Sequence, residues 1–100
     1  MTIRDQQPFH PGEILAEDVL AELSMSGREL ARELNVSSNR ISEFLRGRRA
    51  ITVDAALRLS RWLGTSPTLQ LNLQQAYDLE SAQLSDHATI EREVEPRSAA

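Results

Sequence analysis

The chain predicts an all-α fold of five helices, on three observations. Residues 27–46, GRELARELNVSSNRISEFLR, space Leu30, Leu34, Val36, Ile41 and Phe44 as two short helices crossing steeply would bury them, with the small Ala31 at the close approach. Helix-starting residues recur along the chain: Pro11, Ser26 with Glu29 three residues on, Ser37, Thr52 and Ser66-Pro67. Gly47 and Gly64 stand where helices should stop.

The first helix starts at Pro11, since proline at the first helical position loses no hydrogen bond. Leu15, Val19, Leu20 and Leu23 follow at helical spacing, with acids on the other face. Ser26 and Glu29 form a capping box for the second helix, which runs to about Leu34. Asn35 marks the turn, because asparagine tolerates the left-handed conformation. Ser37 caps the third helix, which ends near Arg46.

Thr52 caps the fourth. Val53, Ala56, Leu57 and Leu63 form a stripe that Ala55, Leu59 and Trp62 widen, which predicts a helix at the centre of the bundle. Residues 68–74 alternate polar and apolar as a strand would. The Ser66-Pro67 start and the stripe Leu69, Leu73, Ala76 and Tyr77 favour a fifth helix, and a lone strand would have no partner. Leu71 and Leu79 then fall elsewhere on its surface. One domain over 1–84 results, with the last helix at 67–84 and a flexible acidic tail at 85–100.

A chain of 100 residues can bury a modest core. Without cysteine there are no disulfides or thiolate metal sites. The leading segment MTIRDQQPFHPGE lacks the apolar core of a signal peptide, and no apolar run is long enough for a membrane span, so the expected location is cytoplasmic. His10 and His87 lie in unrelated segments. His10 with Glu13 lacks a third metal ligand, and Glu13 better closes the first helical turn. With no catalytic triad and no phosphate loop, neither catalysis nor a cofactor nor a metal is expected.

The net charge of −4 hides a strong asymmetry. Residues 26–62 carry eight arginines against four acids, while the segments 1–25 and 63–100 each carry −4. Every basic side chain is arginine, which forks onto phosphates and guanine edges.

Advancing 100° per residue from Ser38, Ile41, Phe44 and Leu45 point one way, and Asn39, Ser42, Glu43 and Arg46 the other, with Arg40 on the flank. The outward set suits a DNA major groove: asparagine matches adenine, arginine guanine, and glutamate the cytosine amino group. For Glu43 a pairing with Arg40 or Arg46 is an equal alternative. Ser37 serves as a cap before it serves as a reader, and Ser38 suits backbone or base. Arg28 begins the helix that crosses the phosphate backbone, and Arg46, Arg48 and Arg49 crowd one loop, where repulsion between like charges calls for phosphate.

HPGEIL at 10–15, the helix-turn-helix, GRRAIT at 47–52, DAALRLSRWLGTSP at 54–67 and LNLQQAYDLE at 71–80 together resemble the HigA-type antitoxins of the Xre/Cro-like superfamily, over roughly residues 8–84. The resemblance implies a lambda-repressor-like, DNA-binding helical domain. It implies a homodimer with the fifth helix near the interface, binding and neutralisation of a HigB-type toxin (a ribonuclease related to RelE), and repression of its own operon at a palindromic operator. It places base reading on Ser38, Asn39, Arg40, Ser42 and Glu43, with Arg28, Arg46, Arg48 and Arg49 supporting on phosphates. Leu69, Leu73, Ala76 and Tyr77 are candidates for the dimer seam, or equally pack on their own bundle.

The chain departs from the family at Gly27, where glutamine is usual, at Asn35, where glycine is usual, and at Leu69 and Gln70, where an aromatic pair is usual. Two rival readings remain: a plain Xre-type repressor with no toxin, and a protein-binding module whose helix-turn-helix has lost DNA.

Overall fold

In a computed structural model, which describes residues 9–97, the described residues form five helices and no strand. Residues 1–8, most of the leading segment read above as carrying no signal peptide, and residues 98–100 of the tail lie outside the described residues.

Helix α1 is continuous but not uniform: an α-helical turn Pro11–Leu15, a π-helical turn Ala16–Leu20 and a last α-helical turn Ala21–Leu23. The wider turn carries Leu20 round to the face of Leu15, so both are buried, although they are five residues apart. Val19 packs partly against the core. Leu23, expected in the same stripe, faces solvent in the last turn, just before the chain reverses at Ser24 in the left-handed conformation.

Helices α2 (Gly27–Leu34) and α3 (Ser38–Leu45) form the helix-turn-helix. Both halves of the Ser26/Glu29 capping box are made. Asn35 takes φ 56°, and the amides of Asn35 and Val36 bond back to Arg32 and Ala31. Leu30, Ala31, Leu34, Ile41 and Phe44 are all buried, as their spacing requires.

Helix α4 (Val53–Leu63) is capped by Thr52 and stopped by Gly64 at φ 77°. Its inward face is Ala56, Leu59 and Ser60. Val53 and Leu57 are exposed, so α4 flanks the core and does not occupy its centre; the predicted stripe lies partly on the wrong side, because Leu57 is about 100° round from Ala56.

Helix α5 spans Pro67–Glu93, a helix throughout where the alternation of residues 68–74 also allowed a strand. Its inward residues are two glutamines, Gln70 and Gln74, both buried. Gln74 accepts the Ile51 amide at 3.0 Å and donates to Asp78 at 3.0 Å, which satisfies its amide. Leu71, placed elsewhere on the surface by the periodicity, is half-buried against the core. The helix continues past residue 84, so the expected boundary between helix and tail falls inside it. Residues 85–93 are exposed yet helical; Ala88, Glu91, Arg92 and Glu93 favour helix, and His87 meets Glu91 one turn on at 3.4 Å.

Candidate nucleic-acid interface

Ser37 initiates α3. Its Oγ accepts the Arg40 amide at 3.2 Å, so the hydroxyl acts first as a cap. Beyond it Ser38, Asn39 and Arg40 are exposed on the first turn, Ser42 and Glu43 are half-buried, and Arg46 is exposed at the end. Asn39 stands on a ridge with a groove on either side. One groove runs between α3 and the start of α2, past Arg28, Ser38, Ser42 and Arg46. The other runs toward α4, past Ser37, Arg40, Arg49 and Arg58.

Arg28, Arg40, Arg46, Arg48 and Arg49 are all exposed and form no ion pair among the described residues. Glu43 bridges to neither Arg40 nor Arg46, so the pairing that would have removed it from a binding role is not made. Five exposed guanidinium groups on and beside α3, in no ion pair among the described residues, leave a positive field suited to a polyanion. The turn after α3 sets out three of them. Gly47 at φ 76° donates to the Phe44 carbonyl at 3.0 Å, and the Arg48 amide donates to the Glu43 carbonyl at 2.9 Å.

Gly27 suits this geometry at the start of α2. A Cβ there would come 2.9 Å from a Leu45 methyl group, so glycine allows the close approach, although that methyl is a flexible end that can yield.

The support beneath the loop was not legible in the sequence. His10 is buried, with its ring edge-on to Phe44 at 5.5 Å and to Tyr77 at 4.7 Å. Its Nδ1 accepts the Gly12 amide at 2.9 Å, and Glu13 reaches back to the His10 amide, a capping box built on histidine. With Nδ1 accepting, the neutral ring carries its proton on Nε2. Tyr77, proposed for the dimer seam, thus packs its ring on its own bundle. Leu69 and Ala76 of that set stay exposed and Leu73 half-buried. The expected closing of the first helical turn by Glu13 is made, but only the fold supplies the two aromatic neighbours of His10.

Burial lowers the His10 pKa below the ordinary value, against the opposing pull of Glu13, of Asp78 and of the Arg49 backbone bond. The unfolded chain therefore binds the proton more readily. This contribution to stability is complete above the unfolded imidazole value of about 6.5 and is lost as the pH falls from there toward the lower folded value. Thermal melts from pH 7.5 to 5 should show a fall in Tm that flattens in His10→Asn, which keeps a capping oxygen but cannot titrate. Equal slopes in the two proteins would discount the effect.

Arg49 also gives a direct test of phosphate contact. Arg49→Ala should weaken binding to all duplexes about equally and make the logarithmic salt slope less negative by about 0.9. An unchanged slope across a salt titration would take Arg49 off the phosphates.

Comparison with known proteins agrees with this geometry. Residues 17–70 match the helix-turn-helix model HTH_3. Virulence-associated protein I of Dichelobacter nodosus is 49% identical over 75 residues, which is 75% of this chain and 69% of that protein. Among solved structures, a HigA-family addiction-module antidote protein from Coxiella burnetii is 46% identical, with a TM-score of 0.83 over 91% of this chain and 99% of that one. Antitoxin HigA of Pseudomonas aeruginosa, solved with the higBA promoter, is 40% identical, with a TM-score of 0.86 over 92% of this chain and 100% of that one.

Proposed function

The chain belongs to the HTH_3 helix-turn-helix family, with HigA-family antitoxins as its structural neighbours, and from that premise we propose that it is the antitoxin of a type II toxin–antitoxin module. It binds a palindromic operator as a dimer, represses its own operon and neutralises a HigB-type ribonuclease toxin related to RelE. The observation that carries the DNA half of this reading is the exposed first turn of α3, with Asn39 between two grooves and five exposed arginines that form no ion pair among the described residues. A P. aeruginosa relative of the same fold was solved with promoter DNA, which supports the same use of the face here.

Dimerisation follows from the size of the module. Two-fold pairing would set two α3 helices about 34–36 Å apart, on successive turns of one duplex face. Leu69, Leu73 and Ala76, which remain accessible on α5, supply the apolar seam. The protein works in the cytoplasm and catalyses nothing; its action is binding. Among the described residues, no helix is long and apolar enough to cross a membrane.

A gel shift against the DNA upstream of its own gene tests the repressor half, with a specific complex expected. Co-expression with the adjacent small basic reading frame tests the antitoxin half, with rescue from growth arrest expected. Arrest that is equal with and without this chain would leave a plain repressor.

A further inference from the structure

Arg58, on α4, is held differently from the arginines that surround α3. Its Nε donates to Asp54 at 2.9 Å, and its Nη1 donates to the carbonyls of Leu34 at 3.0 Å and Asn35 at 3.3 Å. Those are among the last carbonyls of α2, which lack intrahelical partners and carry the negative end of the helix dipole. The second of them belongs to the left-handed residue from which the chain turns into α3. A planar fork can satisfy a carboxylate and two carbonyls together, as an ammonium group cannot. A parallel tie from Trp62 Nε1 to Glu33 at 3.3 Å joins the same two helices.

We propose that Arg58 is a positioning residue for DNA reading: it fastens the α2–α3 turn to α4 and so sets the inclination at which α3 meets the duplex. The inference rests on the reading of α3 as the DNA-contacting helix. Arg58 lines the same groove as Arg40 and Arg49, so direct phosphate contact is the competing role. The Asp54 carboxylate argues against it, since it already balances the guanidinium charge and would repel a phosphate placed there.

The test uses the full chain with Arg58→Met, which keeps the apolar stem, and Arg58→Lys, which keeps the charge but loses the fork. Binding to the upstream operator and to a random duplex is measured over a range of salt, and amide exchange at Asn35 and Val36 is measured without DNA. Both variants should lose about tenfold on the operator and less than about twofold on the random duplex, with the salt slope unchanged. Exchange at the two amides should quicken by about tenfold in both.

Equal losses on both duplexes, with a slope less negative by about 0.9 in Arg58→Met and not in Arg58→Lys, would make Arg58 a phosphate ligand and overturn the proposal. A lowered Tm with an unchanged operator-to-random ratio would reduce it to a structural tie. If the wild-type chain shows no operator preference, the proposed function fails by itself. The exchange measurement then decides alone, and unaltered exchange rules out the fastening.

Discussion

Gly12→Ala should lower the unfolding temperature by more than about 10 °C. A Cβ built on Gly12 falls 1.8 Å from the carbonyl oxygen of Phe44 and 2.6 Å from its carbonyl carbon. Both are backbone atoms of α3, so no side chain can turn aside to make room. The same oxygen accepts the Gly47 amide, and the Phe44 ring lies edge-on to His10, which caps Gly12 in turn. Relief of the clash must lift α1 from α3 or move the turn at Gly47, and either breaks this circuit. Overpacking ordinarily costs about 1–3 kcal/mol, and a backbone collision belongs at or above the top of that range. In a domain of this size each kcal/mol shifts Tm by roughly 4–8 °C. Circular-dichroism melts decide the point: a Tm within about 2 °C of the wild type would show that the two backbones do not meet as described.

The contrast between Gly12 and the helix caps shows what a sequence can reveal. Ser26, Ser37, Thr52 and Ser66 bond to amides two or three residues ahead, so each cap lies within a few letters of text. Asn35 declares the turn by an intrinsic conformational tolerance. The outward face of α3 followed from its period alone, because the apolar Ile41 and Phe44 fix which side is inside.

What escaped depends on helices meeting across the fold. The need for glycine at position 12 exists only once α3 lies against it, and Arg58 looks like any other member of a basic cluster until the end of α2 arrives beside it. Gln74 and His10 are polar residues at core positions, which a hydrophobic pattern cannot recognise. Each is tolerated because the fold supplies its hydrogen-bond partners. The misplaced stripe on α4 and the underestimated length of α5 have a common cause: a period shows that a helix has two sides, but not which neighbour, if any, will cover one of them.

Asn39→Ala should relax the sequence preference at one base pair in each operator half-site by about ten- to a hundredfold, while leaving stability nearly unchanged. Asn39 is exposed in the first turn of α3, the part of a recognition helix that meets base edges. None of the described residues takes up its amide, so both its donor and its acceptor are available. Those two groups match the N6 and N7 edge of adenine, a bidentate pairing worth about 1–3 kcal/mol of discrimination. Arginines set on phosphates would hold a duplex whatever its sequence, so the mutant should retain most of its affinity for random duplex and the same salt dependence. Binding of wild type and mutant to a panel of operators, each altered at one base pair, would locate the affected position. A uniform loss over the whole panel would mean that Asn39 touches the sugar-phosphate backbone and that sequence is read elsewhere on α3.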